Sequence, residues 1–458
     1  MISAVLERCA GIDVGKKWIA VCVLTGPANG EAQVERRKYQ TTNHNLEQMC
    51  EWLVECGCTH VAMESTGEYW RPIYNVLEEA TEIEIILANS QQVKGLRGHK
   101  TDPKDAHWLA HLLRHGMIRP SYIPPLPIRQ LRDLTRRRKQ LIRNGAQERN
   151  RIQKILEDAN IKLGNVLSDV FGLSGQLMLD KLLEGDATPA EIAELAQRSA
   201  KKKIPQIRAS LEGHRMNALH RRLIDMSLNH MAFLEEQIGT LDGAILQHIR
   251  AHGLEKPYQL LQTIPGVKEE AAASLLAEFG PDMQVFGSAK KISSWAGVAP
   301  GNNESAGKKK RAPALRGNPW ARSTLTESAW SASRKKESEF QRAYQRWKPK
   351  LGHKRAIVAV AHSLAETVFE VLSTGQPYAG PGASPMPDSQ AAHLIRHHTR
   401  RIKTLRKRLH PQPQRLQPQP ATPLHSHFHD LRVAERPWVV HPRPEMPSRG
   451  PTQKTSMR

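Results

Sequence analysis

Apolar residues follow two different periods over the first 120 or so positions of this chain. Short apolar runs predict strands at Cys9-Ala-Gly-Ile-Asp-Val14, Trp18-Ile-Ala-Val-Cys-Val-Leu24, His60-Val-Ala-Met-Glu64 and Glu82-Ile-Glu-Ile-Ile-Leu-Ala88. Gly15-Lys-Lys17 separates the first two, which predicts a hairpin. Helical spacing marks Asn45–Cys56, Tyr69–Glu79 and Lys104–His115, the last with Ala106, Leu109, Ala110, Leu112 and Leu113 on one side. Strands mixed with helices in this way predict an α/β layered domain. After the Pro-rich Ile123-Pro-Pro-Leu-Pro127 the pattern changes. Ile128, Leu131, Leu134, Leu141, Ile152 and Ile155 recur at helical intervals, predicting one long amphipathic helix of coiled-coil type, and a second helical stretch runs from about Arg208 to His252. From Tyr258 onward, Leu260-Leu-Gln-Thr-Ile-Pro-Gly-Val-Lys268 followed by Ala271–Phe279 predicts helix, tight Pro-Gly turn, helix. Two readings of that turn stand: a phosphate-binding hairpin, with Lys268 where a second glycine often sits, or a plain turn between helices.

Charge adds a partner class to this outline. Across 458 residues, 67 Lys and Arg stand against 45 Asp and Glu, for a net charge of +22 and a pI near 9.9. Such a balance favours a polyanion, because Lys and Arg neutralise phosphates and release their counterions. The predicted long helix concentrates it, with ten Lys or Arg against two acids between Ile128 and Lys154. The segment from about Gly380 is rich in Pro, Gln and His and is expected to be disordered. It holds fourteen Lys or Arg against four acids, so the residues before it still carry +12. No apolar run approaches the roughly 18 residues of a membrane span. The start, Met1-Ile-Ser-Ala-Val-Leu-Glu-Arg8, has no basic region ahead of a long apolar stretch, so export is not expected. All five cysteines lie before residue 60; Cys9 and Cys22 read as small buried hydrophobes, and Cys56-Gly-Cys58 lacks zinc-knuckle spacing.

Four carboxylates stand out. Asp13 interrupts the first apolar run and Glu64 ends the third, places where an unpartnered carboxylate is costly to bury. Asp102 and Asp105 lie three apart in Lys100-Thr-Asp-Pro-Lys-Asp-Ala106, at the mouth of a predicted helix. Pro103 makes Asp102 a natural N-cap with Asp105 at N3, which alone would account for both. The same placement gathers two carboxylates where a hard cation such as Mg²⁺ could bridge them. Spacing leaves both readings open.

These residues resemble a known family. Gly11-Ile-Asp-Val-Gly-Lys16, Glu64-Ser-Thr-Gly-Glu-Tyr-Trp70 and Gly98-His-Lys-Thr-Asp-Pro-Lys-Asp-Ala106 look like the DEDD-type insertion-sequence transposases of bacteria and archaea. The likeness continues through Ile264-Pro-Gly-Val267, Ser294-Trp-Ala-Gly-Val-Ala-Pro300, Ser305-Ala-Gly307 and Lys354-Arg-Ala-Ile-Val-Ala-Val-Ala-His362. It implies a ribonuclease-H-like, RuvC-like N-terminal domain over residues 8–122, a helical coiled-coil region over 128–255, and a mostly α transposase domain over 258–378. A basic tail occupies 380–458, where such chains ordinarily keep a compact helical end. The resemblance implies that Asp13, Glu64, Asp102 and Asp105 bind Mg²⁺. It further implies that Ser305 attacks the scissile phosphate, with Ser293, Ser294, Ser323 and Ser328 as rival serines. Arg136, Arg137, Arg138 and Lys139 on the long helix, with Lys268, Lys308, Lys309, Lys310 and Arg311, are the expected nucleic-acid contacts. Partners implied are double-stranded DNA, as element ends and target, and a structured guide RNA encoded by the element. A homodimer or homotetramer, cytoplasmic and nucleoid-associated, completes the expectation. The competing function is a metal-dependent nuclease or junction resolvase that forms no covalent intermediate; a non-enzymatic scaffold with vestigial carboxylates is the third.

Overall fold

A computed structural model describes residues 4–65, 67–80, 82–88, 102–301, 304–305, 308–309, 314, 316–380, 396 and 399; the side chains of 80, 102–104, 304–305 and 308–309 lie outside that description. The expected disordered tail therefore falls almost wholly outside the described residues.

The first layer is a five-stranded sheet built from β1 (Arg8–Val14), β2 (Trp18–Thr25), β3 (Gln33–Gln40), β4 (His60–Glu64) and β5 (Glu84–Ala88). Its order is β3-β2-β1-β4-β5. β1, β2 and β3 pair antiparallel, whereas β1, β4 and β5 pair parallel. That order and those directions are those of the ribonuclease-H-like domain the resemblance implied. The hairpin predicted from the first two apolar runs is present. β3 was not foreseen: Gln-Val-Glu-Arg-Arg-Lys-Tyr-Gln has no apolar face, and the strand is almost entirely exposed at the sheet edge. Charge along an edge strand blunts pairing with other chains, so the same feature that hides it from a hydrophobic pattern protects it.

Side chains alternate across the sheet. One face, with Ala10, Ile12, Val21, Val61 and Met63, packs under α1 (Asn43–Glu55) and α2 (Trp70–Ala80). The other, with Cys9, Cys22, Leu24, Ala62 and Ile86, packs under α3 (Asp102–Arg114) through Ala106, Ala110 and Leu113. By that alternation Asp13 and Glu64 belong to the α3 face.

Next comes α4 (Leu126–Asp158), 33 residues and about 50 Å long at 1.5 Å per residue. It lies antiparallel to α9 (Ala218–Ala251), as the cross-links run in reverse order along both: Pro127 with His248, Arg138 with Asp242, Glu148 with His230, Asp158 with His220. At the far end, α5 (Leu163–Val166), α6 (Leu173–Glu184), α7 (Pro189–Glu194), a 3₁₀ turn (Arg198–Lys203) and α8 (Ile204–Leu211) wrap a separate cluster around Ile152, Leu179, Ile207 and Ile224. The helical stretch expected from Arg208 is thus two helices. Gly213, at φ +70°, breaks it, and Asn217 caps α9 with its side chain accepting from the His220 N–H.

The remaining helices, α10 (Glu255–Gln262), α11 (Glu269–Phe279), α12 (Ala289–Trp295), α13 (Pro319–Arg334), α14 (Glu339–Leu351) and α15 (His353–Thr374), enclose one core with the start of α4. A backbone ribbon, β6 (Glu304–Ser305) with β7 (Lys308–Lys309), lies between α12 and α13 in the chain. α15 corrects one expectation. One 18-residue stretch of it is apolar enough, and the helix long enough, to cross a membrane. Interspersed Ser, Thr, His and Glu hide this from a search for unbroken apolar runs. Val360, Ala361, Leu364, Ala365 and Val368 are fully buried in the core, which accounts for its apolarity.

Candidate functional site

The elements that carry the carboxylates meet through a glycine. β1 and β4 run parallel with Ile12 opposite Met63, so Asp13 and Glu64 are the next positions of two neighbouring strands. α3 crosses β1 in the opposite sense. Its last residue, Arg114, accepts from the Val5 N–H at 2.8 Å, and the Arg114 guanidinium donates to the carbonyls of Glu7, Gly26 and Pro27. One turn earlier the Cys9 thiol donates to the Ala110 carbonyl at 3.6 Å. Over Gly11 the contact is closer still: a Cβ there would lie 2.2 Å from the Ala106 oxygen and 2.4 Å from the Ala110 nitrogen. Only hydrogen fits. From Gly11 to Asp13 the strand advances about 6.6 Å, and from Ala106 back to Asp102 the helix advances about 6 Å. The mouth of α3, with Asp102 and Asp105, is thereby carried to the end of β1 and β4 where Asp13 and Glu64 stand.

Asp13, Glu64 and Asp105 are each half-buried. The donor set is carboxylate oxygen throughout, the chemistry of a hard divalent cation, and the N–H groups of a helix mouth favour negative charge beside them. Among the described residues no three His, Cys, Asp or Glu side chains close on a common metal position; the side chain of Asp102 lies outside them.

The basic run on α4 is disposed differently. Arg136 donates through Nε and Nη2 to the buried Glu278 carboxylate at 2.7 and 2.8 Å. Arg138 binds Asp242 and Glu270, and Lys139 reaches Thr324 at 3.2 Å and Glu327 at 3.3 Å. Burial is the leading influence on Lys139 and pulls its pKa down, with Glu327 opposing. Arg137 is the exposed member of the four, and Lys268 is exposed at the N-cap of α11. Gly266, in the turn before it, has φ +86° and its bare side meets the backbone of Ser328 and Ala332 on α13, which accounts for glycine at that position.

Ser305 pairs with Lys308, and Glu304 with Lys309, in the β6–β7 ribbon; Lys310 and Arg311 lie outside the described residues. Of the rival serines, Ser293 is fully buried and bonded to the Ala289 carbonyl, and Ser323 donates to Glu327 at 2.7 Å. Ser328 is buried with no hydrogen-bond partner for its hydroxyl among the described residues, and Ser294 lines a cleft with Trp295 and Trp320. All five thiols are free. Burial pushes Cys9 and Cys50 up to about 11 and Cys58 to about 12, as suits packing residues.

Sequence reasoning missed Glu278 and Asn318, whose amide also binds Glu278 at 2.7 Å. Asn318-Pro319 ahead of a helical pattern carried an N-cap signal, and Asn318 does cap α13. Glu278 carried none.

Residues 10–161 match the family model of DEDD IS110-type proteins described as Transposase. Residues 258–345 match that described as the Transposase IS116/IS110/IS902 family. The two together span a little over half of the chain. The chain belongs to this transposase family. As a transposase it is a DNA-cutting and recombining enzyme. It is 26% identical over 381 residues to the Sinorhizobium fredii protein named "Putative transposase y4pF/y4sB", covering 80% of this chain and 84% of that one. Among solved structures, RuvC of Thermus thermophilus is similar over 99% of its own length and 25% of this transposase, at 16% identity and a TM-score of 0.21.

Proposed function

We propose that this transposase cuts and rejoins DNA at a site assembled from Asp13, Glu64, Asp102 and Asp105 together with the hydroxyl of Ser305. What supports the reading is the docking of α3 on Gly11, which carries the helix mouth to the strand ends that bear Asp13 and Glu64. The four carboxylates would hold a divalent cation, Mg²⁺ by donor chemistry; when bound, it polarises a phosphoryl oxygen and eases deprotonation of a nearby nucleophile. Ser305 Oγ forms the new bond to phosphorus as the strand's own P–O bond breaks, and the departing end leaves as a hydroxyl. Lys308, Lys309, Lys310 and Arg311 hold the DNA backbone around that phosphate, with Arg137 and Lys268 extending the basic surface.

In this reading residues 8–122 supply the carboxylates, 258–378 supply the serine, and 128–255 join them. Assembly as a dimer or tetramer lets sites be shared between copies. An element-encoded RNA supplies sequence choice by pairing, and the enzyme works at the nucleoid. The rival reading, a resolvase-like nuclease that activates water at the carboxylates, differs at one bond. With element-end DNA and Mg²⁺, denaturing electrophoresis should reveal a protein–DNA adduct in the parent that Ser305→Ala lacks, while Ser294→Ala keeps it. Asp13→Ala should slow cleavage about a hundredfold or more, as expected when several kcal/mol of phosphate-charge stabilisation are lost. Full strand cleavage by Ser305→Ala without adduct would hand the case to the nuclease.

A further inference from the structure

Two clefts of similar size flank α4, and their linings differ. One, of about 590 Å³, runs between α4, α11 and α13 and includes Glu269, Glu270 and Glu327 beside Arg138, Lys139 and Lys268, so its charges cancel. The other, of about 670 Å³, lies between α12 and α13 and is lined by Arg136, Lys291, Arg316, Ser294, Trp295 and Trp320, with no acid among its described lining residues. Two exposed cations, a third held by Glu278 behind the cleft, and two indoles are the ingredients of a site for a single nucleotide: a flat base to stack and a phosphate to neutralise.

The walls are fixed in advance. Trp295 ends α12 and Trp320 opens α13. The chain between them is pinned where the Asn318 N–H donates to the Trp295 carbonyl at 2.8 Å. Gly317 makes this possible, because a Cβ there would come within 2.2 Å of the Gly297 nitrogen and 2.5 Å of the Trp295 oxygen. Behind the cleft, Glu278 holds both the Arg136 guanidinium and the Asn318 amide. Arg136 and Arg143 lie 5.7 and 4.7 Å from the Trp320 ring centre, cations already set against the ring a base would share. Lys291 and Arg316 stay exposed at the rim.

We propose that this cleft receives one unpaired nucleotide, its base stacked on Trp320 and its phosphate held by Lys291 and Arg316. The inference rests on the nucleic-acid reading above and adds what that reading lacks, a place for a base taken out of a duplex. In the chain the β6–β7 ribbon that carries Ser305 lies between the residues of the cleft's two walls, Trp295 on one side and Arg316 on the other.

The test compares the full-length parent with Trp320→Ala, Trp320→Phe and the double variant Lys291→Ala/Arg316→Ala. Fluorescence anisotropy at one fixed salt concentration follows binding to labelled single strands of roughly 12 nucleotides, DNA in one arm and RNA in the other, and to a blunt duplex of the same sequence. Trp320→Ala should weaken single-strand binding about tenfold, the size of one lost base–aromatic stack, with duplex affinity changed less than about twofold. Trp320→Phe should recover most of the loss, which a merely unfolded variant would not. The double variant should lose single-strand affinity and depend less steeply on salt. Loss in the DNA arm, the RNA arm or both supports the site and names its source. Unchanged single-strand binding by Trp320→Ala, or an equal loss on duplex, overturns it. If the parent itself binds none of the three, the nucleic-acid reading falls and takes this inference with it; parent binding with no effect at Trp320 removes this inference alone.

Discussion

The sheet face under α3 and the flank of α4 are both dense in charge, and they dispose of it in opposite ways. Under α3, carboxylates on three separate elements stay half-buried at element ends, and a backbone contact that admits no side chain brings those element ends to one side of the sheet. Along α4, opposite charges neutralise one another: Arg129 binds Glu78, Arg136 binds Glu278, Arg138 binds Asp242, Lys139 binds Glu327 and Arg151 binds Glu148. Arg132 donates to the carbonyls of Ala277 and Glu278 and lies 3.9 Å from the Glu278 carboxylate. A basic helix in sequence is therefore largely a framework helix in the fold. What it offers a polyanion is the smaller remainder, with Arg137 exposed at its centre.

The sharpest break of this contrast lies at Glu278, 2% exposed and bonded to Arg136 and Asn318. Glu278→Ala leaves the half-buried Arg136 guanidinium without its carboxylate and should cost about 3 kcal/mol in denaturant unfolding, the low end for breaking a buried pair. The pair Glu278→Met with Arg136→Met should recover most of that. A loss under about 1 kcal/mol for the single change would mean Arg136 finds solvent or another partner, and that the framework description is wrong.

Gly11→Ala is the counterpart on the sheet. With backbone atoms 2.2 and 2.4 Å from the added carbon, α3 must lift, and about 2–3 kcal/mol of stability should go with it. Cleavage should fall further than the stability loss alone explains, because the mouth of α3 moves too. A control of opposite sign sits on α4. Gly145 has nothing within 4 Å of its would-be Cβ, so Gly145→Ala should stabilise by roughly 0.5–1 kcal/mol. The two glycines separated by calorimetry would establish which one is a contact and which a mere helix interior.

The smallest effect concerns Arg137. If it touches DNA phosphate, Arg137→Ala weakens binding to all sequences alike and lowers the slope of log affinity against log salt by about one. Folding stability should move by less than about 0.5 kcal/mol, as for an exposed site. A change in sequence preference would instead make it a base contact.

Much of the sheet could be read in advance because β1, β2 and β4 announce themselves by burial: Ile12, Val21 and Met63 are fully enclosed, and apolar runs mark them. Asp13 and Glu64 were legible as exceptions to those runs. β3 was not, since an edge strand buries neither face. The cluster between α4 and α9 escaped because its helices are short, though Thr188-Pro-Ala-Glu191 spells a capping box that α7 does form. Glu278 was beyond reach for a different reason. Its partner Arg136 stands 142 positions away, and a lone acid inside an apolar helix says nothing about which cation will meet it. Periodicity reports what an element buries; it is silent on long-range pairing.

The antiparallel α4–α9 rod finally sets a rule of phase. Because the chain runs out along one helix and back along the other, the cluster around Ile152 and Ile207 is held at a fixed distance and a fixed rotation from the core around Leu131. Seven residues added at matched points of both helices would extend the rod by about 10 Å and turn its tip by only about 20°. Five would turn it by roughly 140° the other way round the axis. Relatives or engineered variants that lengthen this arm are thus constrained to whole pairs of turns, so that reach is adjustable in steps while orientation is preserved.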